Sequence, residues 1–123
     1  MPATPRPTPD SFQHTGYQLD GHVLTITLNR PERRNALNWR AYAELEAAFL
    51  AAHDDPAVRC VVVTGADPAF CSGDDVGEIM AAPGGGIAGR GASIVHNPPT
   101  PAAIAALECA KPVIAAVNGA AVG

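Results

Sequence analysis

Apolar and polar residues alternate along this chain with a period that changes several times, and each change marks an element. From His22 to Leu28, Leu24, Ile26 and Leu28 alternate with Val23, Thr25 and Thr27. A period of two predicts a strand. A shorter strand is predicted over Tyr17 to Leu19, and Asp20-Gly21 between the two is a tight-turn pair that favours a hairpin. From Trp39 to about His53 the period lengthens, and Tyr42, Leu45, Phe49 and Ala52 share one helical face. Asn38 suits the N-cap of that helix, and Asp54-Asp55-Pro56 ends it. The β-branched run in Arg59 to Thr64 suits a strand buried on both faces. Strand, helix, strand predicts a parallel pair with a right-handed crossover.

Beyond Gly65 the pattern breaks into a loop, and a short helix is predicted from Asp74 to about Met80. Ala82 to Pro101 holds Gly84-Gly85-Gly86 and Pro98-Pro99 and reads as a mobile surface loop with a broken helix inside. Thr100 and Pro101 suit the cap and first turn of a helix running to about Cys109. Pro112 to Asn118 reads as another buried parallel strand. No internal repeat is present, although Val61 to Asp75 and Lys111 to Gly123 share one plan, a strand leading into a glycine turn.

With 123 residues, 47% of them hydrophobic, one small domain with a core is feasible. The net charge of −4 gives no basic face for nucleic acid. The apolar runs are too short to cross a bilayer, so neither nucleic acid nor membrane is expected as a partner. Residues 1–15 read as a disordered, proline-rich lead-in, and 16–123 as a partial domain. Met1 to Gln13 has no apolar core for a secretory signal, and Arg6 alone is too little for a transit peptide. Cys60, Cys71 and Cys109 are odd in number without CxxC spacing, so neither a disulfide framework nor a metal site is expected. A reduced, cytoplasmic setting follows, with Cys60 and Cys109 as packing residues.

A strand, a glycine turn and a fresh helix leave backbone N–H groups able to hold an oxyanion or a phosphate. Gly73 with Asp74 and Asp75 is such a place. Cys71 beside it has no histidine placed in sequence to activate it and reads as packing. His96 reads as a loop histidine. Gly84-Gly85-Gly86 lacks the strand-then-helix context of a phosphate loop.

Three motifs in order carry a family resemblance. Ala69-Phe70-Cys71-Ser72-Gly73-Asp74-Asp75 resembles the first oxyanion-hole motif of the enoyl-CoA hydratase/isomerase (crotonase) superfamily. Lys111-Pro112-Val113-Ile114-Ala115-Ala116-Val117-Asn118-Gly119 resembles the strand leading to the second. Leu28-Asn29-Arg30-Pro31-Glu32-Arg33-Arg34-Asn35-Ala36-Leu37-Asn38 resembles the early loop before the first long helix. The resemblance runs from about Tyr17 to the last residue. It implies an α/β fold, the N-terminal half of a crotonase-like ββα spiral. Half a spiral is expected to leave a hydrophobic sheet surface and a strand edge uncovered.

The resemblance also implies a chemistry. Two backbone N–H groups polarise the carbonyl of an acyl-CoA thioester and hold the enolate formed from it, each worth about 3 kcal/mol of barrier. The first is the N–H of Asp74, whose carboxylate is expected to turn toward its own helix start. The second belongs to the residue after Gly123, with the acid and base glutamates further on. Asp75 is expected to hold the turn, and Glu78 to be a solvated helix residue. Arg33 or Arg34 is placed near the CoA phosphates. Ser72, Gly73 and Val76 would line the adenine and pantetheine, opposite Ala36 and Leu37. CoA arrives with the substrate, so no resident cofactor is expected. A complete protein would form a homotrimer or hexamer and hydrate or isomerise an enoyl-CoA. The alternatives are an inactive truncated remnant or partial CoA-binding module, and an acyl-CoA thioesterase or dehalogenase of the same superfamily.

Overall fold

Leu24, Ile26 and Leu28 are almost wholly buried, whereas Val23, Thr25 and Thr27 between them are not. The alternation read from the sequence therefore separates a covered sheet face from an open one. The computed structural model describes residues 5–81 and 100–122. Its elements are β1 (Thr15–Asp20), β2 (Val23–Leu28), α1 (Trp39–Asp54), β3 (Cys60–Gly65), α2 (Val76–Ala81), α3 (Pro101–Glu108) and β4 (Val113–Ala115). Single 3-10 turns occupy Pro9–Ser11 and Pro31–Arg33.

The sheet order is β1-β2-β3-β4. β1 and β2 are antiparallel, with Asp20 opposite Val23, so Gly21 and His22 alone form the turn. Gly21 takes φ +59°, a left-handed conformation that glycine adopts without steric cost. β2 and β3 are parallel, as are β3 and β4. Leu24 lies opposite Val61 and Ile26 opposite Val63, which puts same-face residues side by side. Onto this face pack Leu45, Ala48, Phe49 and Ala52 of α1 and Ala102 and Ala105 of α3. Each fully buried large aliphatic side chain contributes about 1.5–3 kcal/mol.

α1 begins where Asn38 Oδ1 accepts the Ala41 N–H at 2.8 Å, and α3 where Thr100 Oγ1 accepts the Ala103 N–H at 3.2 Å. Both caps match their sequence signals.

Three expectations need correction. β3 is not buried on both faces: Val61 is covered by the helices, while Val62 on the other face is only half-buried. The strand expected over Pro112 to Asn118 is limited to Val113–Ala115 and is exposed, because it forms the sheet edge with no helix packed on it among the described residues. Within the lead-in, Pro9–Ser11 form a 3-10 turn and Thr15 opens β1. Phe12 sets its ring edge-on to Tyr17 at 6.2 Å, and the buried Glu44 accepts the Gln13 and His14 N–H groups at 2.7 and 2.9 Å. α2 starts at Val76 rather than Asp74, because Asp74 is held in a strand-like bridge with Leu37. Gly84-Gly85-Gly86, His96 and the loop containing them lie outside the described residues.

Candidate active site

Two segments meet at the first glycine turn. The loop after β2 turns sharply, with Arg34 and Asn35 in succession at φ +50° and +59°. Such values are costly for residues other than glycine, and asparagine tolerates them best. Asn35 is held there by its buried side chain. Its Oδ1 accepts the Arg30 N–H at 2.9 Å, and its Nδ2 donates to the Ala66 and Ala69 carbonyls, both at 2.8 Å. The loop then runs alongside residues 72–75. Ser72 N–H donates to the Arg34 carbonyl at 3.1 Å, and Ser72 Oγ to the Arg33 carbonyl at 3.3 Å. Leu37 N–H donates to the Gly73 carbonyl at 2.8 Å, and Asp75 N–H to the Leu37 carbonyl at 2.8 Å.

These bonds set the direction of the Asp74 amide. The Gly73–Asp74 peptide is trans, so its N–H points opposite to its carbonyl. The carbonyl faces Leu37, and the N–H is therefore directed away from Leu37. The second glycine segment runs beside residues 70–73. The Ala120 carbonyl accepts from Phe70 and Cys71 N–H at 3.0 and 3.1 Å, and Val122 N–H donates to the Cys71 carbonyl at 2.8 Å. Gly73 has φ +94°, and a Cβ there would lie 3.2 Å from the Val122 carbonyl oxygen. Gly119 must also be glycine, since a Cβ would lie 2.5 Å from the Pro68 carbonyl oxygen.

The site residues expected from the resemblance lie in the two segments 33–37 and 72–76. Arg33 and Arg34 are exposed, Ala36 is buried, Leu37 and Ser72 are half-buried, and Val76 is exposed. The Asp74 carboxylate differs from expectation. Its Oδ1 accepts the Tyr42 hydroxyl of α1, and the helix-start role falls to Asp75, whose Oδ1 accepts the Glu78 N–H at 3.2 Å. Glu78 is not simply solvated: its Oε2 accepts from Arg30 Nη2 at 3.0 Å and Asn38 Nδ2 at 2.9 Å. Cys71 is buried, and its Sγ accepts the Gly73 N–H at 3.4 Å, in keeping with packing.

Burial works against the charge of Asp75. The Glu78 N–H and the Arg30 guanidinium outweigh it, with Arg33 adding its field, and hold the carboxyl below its ordinary range. The site is thus an electrostatically settled turn with one amide turned away from the 33–37 loop and two exposed arginines at its edge. That arrangement suits an anionic ligand with a polarisable carbonyl. Among the described residues no His/Cys/Asp/Glu group could hold a metal, and no helix is long and apolar enough to cross a membrane.

The family described as Enoyl-CoA hydratase/isomerase matches residues 18–123. The chain belongs to this family. A Mycobacterium tuberculosis protein named as a probable enoyl-CoA hydratase is 44% identical over 105 residues, which are 85% of this chain and 39% of the relative. The 1,2-epoxyphenylacetyl-CoA isomerase of Escherichia coli is 40% identical over 103 residues, 82% of this chain and 38% of the relative. The crystal structure of an enoyl-CoA hydratase/isomerase from Mycobacterium paratuberculosis superposes with a TM-score of 0.67 at 39% identity, covering 89% of this chain and 39% of that one. The fold is therefore crotonase-like. The chain spans about two fifths of the length of the curated relatives it matches.

This enoyl-CoA hydratase/isomerase family member also uses residues that sequence reasoning passed over. Arg30, Asn35 and Asn118 hold the two glycine turns through side-chain bonds to backbone. Asn29-Arg30 and Val117-Asn118 both stand where a strand or its extension gives way to a turn, a local signal that could have pointed to them. Tyr42 packs against the core, as its helical face predicts, and its hydroxyl also donates to Asp74 Oδ1.

Proposed function

We propose that this chain supplies the CoA-binding part and the first oxyanion donor of an enzyme that hydrates or isomerises an enoyl-CoA thioester. The observation that carries the reading is the bond from Leu37 N–H to the Gly73 carbonyl, which turns the Asp74 amide away from the 33–37 loop. In this reading the Asp74 N–H polarises the thioester carbonyl, and negative charge on that oxygen grows as the enolate forms. A preorganised donor lowers the barrier because it is already oriented when the charge appears. A second donor follows Gly123 in this reading. The exposed Arg33 and Arg34 meet the CoA phosphates, while Ala36, Leu37, Ser72, Gly73 and Val76 flank the adenine and pantetheine. CoA enters as part of the substrate, so the protein needs no resident cofactor. The three free thiols suit a reducing, cytoplasmic compartment, and assembly is as a homotrimer or hexamer.

Support comes from the family membership and from relatives whose names specify CoA thioesters. The test is intact mass of the purified gene product together with crotonyl-CoA hydration and isomerisation assays on the same sample. Turnover with saturable CoA binding is the expected result. A protein that binds CoA without turnover would point to the inactive module, and one that releases free CoA to a thioesterase.

A further inference from the structure

Arg30 lies two residues beyond β2, at the start of the Pro31–Arg33 turn, and is only 6% exposed. Its Nη1 donates to the Ala36 carbonyl at 2.6 Å and to Asp75 Oδ2 at 3.1 Å, and its Nη2 to Glu78 Oε2 at 3.0 Å. Its Nε is buried with no partner among the described residues. A buried ion pair with one donor left over is a poor route to stability, since apolar side chains of similar volume do as well or better. What the planar guanidinium provides is direction: several donors at fixed angles on one rigid group.

Those donors grip both sides of the pair that orients the Asp74 amide. Ala36 immediately precedes Leu37, and Asp75 immediately follows Asp74. One nitrogen, Nη1, holds both flanking residues, so the Leu37–Asp74 bridge cannot slide without breaking that hold. Asp75 and Glu78 together neutralise the guanidinium, so its influence on a ligand is geometric rather than a matter of added positive charge.

We infer that Arg30 is a positioning residue that fixes the direction of the Asp74 amide. The inference rests on the enoyl-CoA reading for its effect on rate, but not for its effect on the turn. Catalytic donors need their geometry held within about 0.5 Å, and a displacement of about 1 Å costs about 100-fold in rate.

The test compares the wild-type gene product with Arg30→Lys and Glu78→Gln, well below their melting temperatures. It reads kcat with crotonyl-CoA, the Kd of free CoA, and amide exchange at Leu37 and Asp75 by NMR. Arg30→Lys keeps the charge but cannot bridge both sides. It is expected to lower kcat about 10- to 100-fold with the Kd of CoA changed less than about threefold, and to speed exchange at both amides. Glu78→Gln leaves Nη1 in place and is expected to lose less kcat than Arg30→Lys. Unchanged kcat with a lowered melting temperature would show Arg30 to be merely structural and overturn the inference. So would an equal loss in both variants, or a fall in kcat that tracks the unfolded fraction. If the wild type neither turns over nor binds CoA, the enoyl-CoA reading fails by itself. Unchanged amide exchange in Arg30→Lys would then still overturn the positioning role.

Discussion

Asn118 Oδ1 accepts the Gly65 N–H at 3.1 Å, so the segment beyond β4 is tied to the last residue of β3. The same side chain donates through Nδ2 to Asp67 Oδ1 and to the Ala69 carbonyl, both at 3.3 Å. One amide thus joins the two strand-to-glycine segments at the point where each leaves the sheet. Asn118→Ala is expected to cost about 1 kcal/mol, because these bonds are solvent-exposed and exchange for water. The urea midpoint measures it. A change in the denaturant slope would instead signal a change in compactness.

Asn35 combines a left-handed backbone with three side-chain bonds, two of them buried. The two contributions separate by substitution. Asn35→Gly keeps the backbone and loses the bonds, whereas Asn35→Ala loses the bonds and strains the backbone as well. We expect Asn35→Ala to be less stable than Asn35→Gly by about 1 kcal/mol, and both to be less stable than wild type by about 2 kcal/mol or more. Chemical denaturation of the three proteins gives the order directly.

Glu44 makes stability depend on acidity. Burial disfavours its charge, but the Gln13 N–H, Arg40 and the His14 N–H together prevail and hold its carboxyl below the ordinary value of 4.5. A carboxyl whose folded pKa is depressed contributes stability in full above its unfolded pKa and loses it as pH falls through the folded pKa. Asp75, also depressed, acts in the same sense. Glu44→Gln is expected to be less stable by about 2 kcal/mol at neutral pH, with the gap shrinking progressively below about pH 4.5. Urea midpoints between pH 7 and pH 3 test this. A gap that is constant with pH would mean that Glu44 acts by packing alone.

Arg33 and Arg34 are both exposed, so replacing them has little effect on the fold. If one of them meets a CoA phosphate, Arg33→Ala or Arg34→Ala raises the Kd of CoA about tenfold, the scale of one charge-assisted hydrogen bond. The effect should shrink as salt rises, because exposed charges are screened. Calorimetric titration at low and high salt measures both.

Gly73→Ala tests the turn itself. The added methyl meets the Val122 carbonyl at 3.2 Å on a backbone that is already left-handed. Turnover by the gene product should fall about 100-fold, while its affinity for free CoA changes far less.

The regular elements were legible because their signals are local. Alternation in β2, the Asn38 cap and the face of α1 each need only a few neighbouring residues. Reading the 72–76 and 33–37 segments as one neighbourhood needed the family pattern, since no local signal joins residues so far apart in sequence. The supports of that neighbourhood were not legible. Arg30 and Glu78 are 48 residues apart, Asn118 and Gly65 53 residues, and only the folded sheet brings them together. Glu44 sits on a helix where glutamate is ordinarily solvent-exposed, and nothing in its sequence context shows that backbone N–H groups from a proline-rich lead-in cover it. The apolar run of β4 reads as buried because it says that a strand prefers cover and not whether another layer lies over it, whereas the expected uncovered edge of a half spiral matches its exposure.

The sheet order, β1-β2-β3-β4, is also the order in which a ribosome releases these strands. Each one emerges to find its partner already in place at the growing edge. A hairpin closed by two residues comes first, then a crossover through α1, then β4 beside β3. Among the described residues, no strand must wait for a later one to be inserted between it and its neighbour. Translation itself thus runs along an assembly path in which every pairing is made with the strand before it, which limits the time that unpaired edges stay exposed to other nascent chains.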